Sequence, residues 1–344
     1  MAQQTLEPAM QPAAAVLMQM SQGALPARAL GAAAVLGIAD QLVTGPLDCE
    51  TLAARTGVHA PSLYRLLRAL ASYAIFAEDG EGRFILTPLA QPLRDDAPDS
   101  VRPMLLLQED AAPALNDLLG SIRTGEAAFN RIHGRGWWEH FAEQPETEAI
   151  HQQALASHVA GVVPSLLDAY DFTGIDTLVD VGGGYGALLA RILQAYPAMR
   201  GVLFEQPHVA AQAGATLEKA GVASRCTTIA GDFFRAVPEG GDVYLMMRIM
   251  RDWDDERAAA ILARCRAAMR PDARLLLVEM IVPPGNAPSI SKIADLFLLA
   301  ILPGARDRTE PEFRALLDGA GFRLTRIVPT NAPLPFSVIE AAPA

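Results

Sequence analysis

Cysteine is scarce in this chain: Cys49, Cys226 and Cys265 are the only three in 344 residues, an odd and scattered set without metal-ligand spacing. That excludes a disulfide framework and reads as reduced core thiols in a cytoplasmic protein with no bound metal. Long apolar runs are missing as well. None reaches the ~20 residues that cross a bilayer, so no membrane partner is expected. A secretory leader is not expected either, because Gln11, Pro12, Gln19 and Gln22 break up an N-terminus without a charged leading region. Positive charge is in deficit, with 28 Lys and Arg against 39 Asp and Glu and a net charge of −11. Nucleic-acid phosphates would be repelled by that balance. No repeat or low-complexity segment interrupts the chain. What is abundant is apolar surface, 51% of residues, enough for a sizeable core and two domains.

The most informative stretch is Leu178-Val-Asp-Val-Gly-Gly-Gly-Tyr-Gly186, followed about twenty residues later by Val202-Leu-Phe-Glu205. The first reads as a buried strand, a glycine-rich turn and a helix over 187–195; the second reads as a strand ending in a carboxylate. In a doubly wound α/β sheet these two strand ends are neighbours at the edge where ligands bind. Gly182, Gly183 and Gly184 let the backbone approach a ligand closely, and Glu205 stands where a ribose needs an acceptor. The spacing is not the G-x-G-x-x-G of a pyrophosphate binder. Asp180, two residues before the glycines, would repel a pyrophosphate and attract a cofactor that carries an ammonium and a sulfonium. These features favour S-adenosylmethionine over a nicotinamide dinucleotide. The plainer alternative is that Asp180 caps the turn and the glycines only tighten it.

Residues 1–12 read as a frayed tail, and 13–39 as two helices separated at Pro26. Residues 47–77 read as a three-helix unit, with Asp48 or Thr51 as a cap and Leu63, Leu66, Leu67 and Leu70 on one face. A hairpin follows, 75–76 with 83–87 around an acidic turn, which completes a winged-helix pattern. Only Arg65 and Arg68 stand on its would-be recognition helix, so a packing or dimerisation role fits better than DNA binding. Residues 101–170 read as helices punctuated by Phe129, Trp137, Trp138 and Phe141. Beyond Gly174, strands at 177–181, 202–205, 226–230, 242–247, 273–281 and 322–328 alternate with helices, as in a mainly parallel, covered sheet.

Taken in order, Val179-Asp-Val-Gly-Gly-Gly184, Glu205-Gln-Pro-His208, Gly231-Asp-Phe-Phe234, Arg251-Asp-Trp-Asp-Asp-Glu256, Val278-Glu-Met-Ile-Val-Pro283 and Arg308-Thr-Glu-x-Glu-Phe313 resemble the S-adenosylmethionine-dependent small-molecule O-methyltransferases. That family includes caffeate-type plant enzymes and bacterial natural-product tailoring enzymes, and the resemblance runs over roughly 15–340. It implies a Rossmann-like class I methyltransferase sheet behind a helical, winged-helix-like dimerisation domain. The implied divisions are 1–100, a helical substrate-pocket segment at 101–170, and a catalytic domain at 171–344. It also implies a homodimer, with the glycines cradling the methionine part, Glu205 on the ribose, Asp232 and Phe233 about the adenine, and Arg248 among the cofactor contacts. Trp137, Met246, Met250, Leu296 and Phe297 are candidate walls of an apolar slot for a flat ring, although each also reads as ordinary core packing.

The chain departs from the family at the catalytic position. Where the family has a His-Asp-Trp base, this sequence reads Arg251-Asp252-Trp253. A guanidinium does not accept a proton at neutral pH. Of the two carboxylates that the resemblance implies beside that histidine, Glu279 matches one, and Asp307 stands where the other is usually a glutamate. Three explanations remain open. The acceptor ionises unaided and Arg251 stabilises its oxyanion; or His151 has taken over as base; or the scaffold runs a cyclisation, elimination or hydroxylation with Arg251 as electrostatic catalyst. A cofactor-binding partner without catalysis is a further alternative. Asp254-Asp255-Glu256 reads as the first turn of a helix, and not as a metal site.

Overall fold

The structure, a computed structural model, describes residues 12–332 and 334–344, so the tail expected at 1–12 lies almost wholly outside the described residues. The described residues divide into two compact units, one ending at Glu109 and the other beginning at Asp110.

In the first unit α1 (Ala13–Gln22) and α2 (Ala24–Val35) meet at Gly23. The break falls there and not at the expected Pro26, because a proline is tolerated in the first helical turn, whose N–H groups have no partner within the helix. After α3 (Ile38–Gln41) comes the short strand β1 (Leu47–Asp48). Then α4 (Cys49–Thr56) starts on Asp48, whose carboxylate accepts from Thr51 N at 2.7 Å. It ends on Gly57 at φ +69°. Together with α5 (Ala60–Ala71) it makes two helices in the segment where three are expected. Leu63, Leu67 and Leu70 of α5 are buried, and Leu66 packs beside them. Strands β2 (Phe76–Glu78) and β3 (Arg83–Leu86) form the hairpin, and β1 pairs with β3 as a third strand.

Helix α6 (Arg102–Asn116) leads into the second unit, followed by α7 (Leu118–Thr124), α8 (Ala128–His133), α9 (Trp137–Ala142) and the long α10 (Pro145–Ala169). The alternating part then begins: β4 (Thr177–Val181), α11 (Ala187–Ala195), β5 (Arg200–Glu205), α12 (Pro207–Ala210), α13 (Ala213–Lys219), β6 (Cys226–Ala230) and β7 (Val243–Met247). It continues through α14 (Asp255–Ala268), β8 (Arg274–Met280), α15 (Ile290–Ile301), α16 (Glu310–Gly319), β9 (Phe322–Pro329) and β10 (Phe336–Pro343). The sheet order is β6-β5-β4-β7-β8-β10-β9, with the first five strands parallel. The last strand, absent from the sequence reading, slots antiparallel between β8 and β9.

Each sheet face has its own apolar core. Leu178, Leu245 and Val278 pack under α10, α11 and α13, while Val179, Tyr244 and Leu277 pack under α14 and α16. Strand order reverses at β4, between β5 and β7, which opens a crevice at the C-terminal ends of the strands.

Candidate active site

The turn after β4 is built so that backbone, not side chain, faces that crevice. Gly182 and Gly184 have φ of +74° and +57°, a region that side chains with a Cβ rarely enter. A Cβ on Gly184 would lie 2.6 Å from Gln152 Oε1 of α10, so this helix closes over the turn. The parallel register sets Val181 beside Phe204, and Gly182 N donates to Phe204 O at 2.8 Å. Glu205, one residue on, accepts from Gly184 N at 3.0 Å and from Gln206 N at 2.7 Å. Burial pushes the Glu205 carboxyl upward, partly offset by those two N–H donors.

Asp180 is 1% exposed and its Oδ2 is sealed off without a hydrogen-bond partner. Burial, reinforced by the Glu205 charge, raises it to about 7. A desolvated carboxylate of this kind attracts a cation. From Glu205 a cleft of about 480 Å³ extends past Asp232, Phe233 and Phe234 to Trp253. Asp232 is exposed there and accepts from Phe234 N at 2.9 Å. A cradle of bare backbone, an unpaired buried carboxylate, a carboxylate at the end of the neighbouring strand and an aromatic-lined cleft fit an adenosine cofactor with a cationic amino-acid end.

A second cluster lies where β7 and β8 end. Arg248 follows β7 at φ +58°, strained for a residue with a Cβ. Its guanidinium, desolvated and close to Arg251, is lowered to about 10. Arg251 is 4% exposed and meets Asp307, with Nη2 donating to Oδ2 at 3.1 Å. Its Nε lies 3.0 Å from Oδ1, within ion-pair reach but not aligned as a hydrogen bond. Glu279 stays outside this pair. Its Oε1 accepts from Met250 N at 2.9 Å, its Oε2 has no partner, and burial pushes it to about 8. Burial likewise raises Asp307 and Asp252 to about 6, against the pull of Arg251.

Two supports of this cluster were not among the expected site residues. The side chain of Arg308, fully buried, donates from Nη2 to Trp253 O at 2.8 Å and from Nε to Asp255 Oδ1 at 3.0 Å, pinning the 250–255 turn. Asp295 of α15 accepts from Asp307 N at 2.7 Å. The Asp254-Asp255-Glu256 run does start a helix, with Asp254 accepting from Arg257 N at 2.8 Å.

The third group is aromatic. Trp137 stands edge-on to Phe141, Phe297 and His151, with ring centres 4.7, 6.3 and 6.5 Å away. Trp138 stacks towards Trp253 at 6.5 Å, which joins this cage to the cofactor cleft. Leu296 is 39% exposed on α15. Met246 and Met250 are not brought to the cage; both are fully buried in the core beneath α14 and α16. Alternation along β7 turns Met246 to that face together with Tyr244. Glu148 and Gln152, unanticipated, join His151 on one face of α10, with Gln152 Nε2 donating to Glu148 Oε1 at 2.7 Å. Their four-residue helical spacing is the only sequence signal for that pair.

Comparison with known proteins agrees with this geometry. A family model described as the O-methyltransferase domain matches residues 115–323, and one described as the O-methyltransferase dimerisation domain matches 18–95. A phenazine O-methyltransferase of Lysobacter antibioticus is 43% identical over 96% of this chain and 97% of its own length. The crystal structure of LaPhzM superposes with a TM-score of 0.93 at 42% identity, covering 97% of this chain and all of that one. An O-methyltransferase from neocarzinostatin biosynthesis, solved with S-adenosylmethionine and 2-hydroxy-5-methyl naphthoic acid, has a TM-score of 0.80 at 29% identity, covering 93% and 96% of the two chains. Methyl transfer is thereby favoured over the repurposed chemistries, and the N-terminal unit makes the homodimer this chain's assembly. The chain belongs to the S-adenosylmethionine-dependent O-methyltransferases of small-molecule secondary metabolism.

Proposed function

We propose that this enzyme methylates an acidic hydroxyl on a planar, conjugated small molecule, and that the acceptor oxygen reacts as an anion beside Arg251. The observation that carries this reading is the buried Arg251–Asp307 pair, at the position that the resemblance gives to the base. A guanidinium keeps its protons at neutral pH, so at this place it stabilises negative charge and does not remove a proton. The phenazine for which one relative is named and the hydroxynaphthoic acid bound to another are flat and aromatic, which suits walls made of Trp137, Phe297 and the neighbouring Leu296.

The bound cofactor supplies an electrophilic methyl group on a sulfonium. For its ribose we assign Glu205, for its adenine Asp232 and Phe233, and for its amino-acid end Asp180, the glycines 182–184 and Arg248. On the same reading 1–100 is the dimerisation part, 101–170 the substrate-pocket segment and 171–344 the catalytic part. Among the described residues no helix is long and apolar enough to cross a membrane. The three cysteines are unpaired, which fits action in the cytoplasm.

The test is a screen of hydroxyarenes of graded acidity with labelled S-adenosylmethionine, scored by S-adenosylhomocysteine release. Rates at neutral pH should rise with acceptor acidity, and activity confined to amines or carbon acceptors would refute the proposal.

A further inference from the structure

A guanidinium at the base position leaves the proton of a less acidic hydroxyl without a destination. Two histidines lie on one face of α10, seven residues and about 10 Å apart along the axis. His158 is a poor receiver. Burial and the charges of Arg248 and Arg251 push its imidazole down to about 3, so it stays neutral and takes no proton. His151 has different neighbours. It is 5% exposed, its ring stacks on Phe141 at 4.4 Å, and Trp137 and Trp138 complete a cage around it. Its Nδ1 is sealed off and lies 4.0 Å from Glu148 Oε1, while Nε2 makes no hydrogen bond among the described residues.

Glu148 is held as a carboxylate. Burial works to raise it, but the contact with His151 and the hydrogen bond from Gln152 outweigh that and keep it low. Titratable groups of other elements that feel the Glu148 charge include Tyr185 of the glycine turn, Glu205 at the end of β5 and His208 of α12. A proton arriving on His151 therefore meets the Glu148 carboxylate at 4.0 Å, whereas Arg248 and Arg251 bear on His158.

The cage also borders the cofactor cleft, since Trp138 stacks towards Trp253 at 6.5 Å. On its other side Trp137 stands edge-on to Phe297 of α15, the helix whose Asp295 accepts from the backbone N of Asp307.

We infer that His151, backed by Glu148, is the proton acceptor for acceptor hydroxyls that do not ionise unaided, with Nε2 receiving the proton. The inference rests on the proposed phenolic acceptor beside Arg251. In the step, the O–H bond breaks and its electron pair stays on oxygen to form the new O–CH3 bond. The C–S pair remains with sulfur, and the proton passes to the imidazole. Arg251 stabilises the charge while it resides on oxygen, and Glu148 stabilises the imidazolium.

The experiment compares catechol with the far more acidic 4-nitrocatechol as acceptors, using the whole enzyme and the variants His151→Phe, His151→Gln and Glu148→Gln. Removing a general base costs roughly 10²-fold or more, so catechol turnover at neutral pH should fall by that factor in both His151 variants. 4-Nitrocatechol, already ionised, should lose less than about tenfold, and catechol turnover should recover as pH approaches its own ionisation. Glu148→Gln should show the same pattern, less deeply. A second readout needs no turnover: 4-nitrocatechol bound to cofactor-free protein should ionise at a higher pH in His151→Phe than in wild type, read by absorbance. An equal loss for both acceptors, or no loss for catechol, overturns the inference and leaves Arg251 untouched. If wild type methylates neither phenol, the acceptor reading fails, and with it the step that rests on it.

Discussion

Arg251 and Asp307 face each other across two contacts, Nη2–Oδ2 at 3.1 Å and Nε–Oδ1 at 3.0 Å, with side chains 5% and 1% exposed. A pair so dry has a fixed direction, and breaking it strands a buried carboxylate. Arg251→Ala should therefore lower turnover by ~10²–10³, the scale of losing one oxyanion donor, while cofactor affinity stays within a few fold. Single-turnover rates with the acceptor found by screening would decide it. Arg251→His should extend activity to less acidic hydroxyls, with a rate that rises through the imidazole ionisation.

Glu205→Ala removes the acceptor assigned to the ribose and frees the Gly184 N–H that it now holds at 3.0 Å. S-Adenosylmethionine should bind more weakly by ~1.5–3 kcal/mol, as expected for hydrogen bonds to a charged group. Calorimetry on a folded variant with unchanged affinity would remove Glu205 from the cofactor site.

Gly184→Ala tests the closeness of α10 to the same turn. The new methyl would meet Gln152 Oε1 at 2.6 Å in a backbone at φ +57°. The turn must shift or Gln152 must leave, so cofactor affinity should fall about tenfold or more while the melting temperature drops only modestly. Pairing the change with Gln152→Ala should restore part of the loss.

Acid–base linkage gives the stability a sign. Asp180 and Glu279 titrate at about 7 and about 8 in the folded chain, far above free carboxylates. At pH 6.5 the unfolded chain has released those protons while the folded one still holds most of them, and it loses them as pH passes about 7 and about 8. Stability of the cofactor-free enzyme should therefore fall as pH rises from 6.5 to about 8. Below that window His158, lowered to about 3, acts oppositely, because only the unfolded imidazole takes up a proton. Thermal unfolding across the range should show the decline, and Glu279→Gln should flatten its upper part. A melting temperature that climbs from 6.5 to 8 would contradict the assignment.

Assembly can be probed at α1, where Val16, Leu17, Met18 and Met20 are exposed and no residue is buried. Such a surface belongs under a partner, and a stable homodimer buries about 2,000 Å² or more. Leu17→Glu with Met20→Glu should shift the dimer towards monomer at micromolar concentration in light scattering. An unchanged dimer would move the interface elsewhere.

The strand, glycine turn and helix at 177–195 are legible in sequence because three local signals agree there: an apolar run, residues suited to positive φ, and a periodic helix. The Arg251 cluster is legible only as a list of residues. Nothing local says that Asp307 takes the guanidinium while Glu279 turns to the Met250 N–H, since that choice depends on how β8 and the 250–252 turn pack. Met246 stays open in sequence for a related reason, because a methionine near a strand end does not declare which face it occupies. The final strand escapes because Glu340, Ala341, Ala342 and Pro343 are poor strand formers, held by pairing on both sides.

All three tryptophans of the chain, Trp137, Trp138 and Trp253, sit in or beside the site, and Trp253 borders the cleft beside Phe234. The tryptophan emission of the whole protein therefore originates at one place. Occupancy of the cleft can be followed by ultraviolet fluorescence on the unlabelled enzyme, and the N-terminal unit contributes no indole background to that signal.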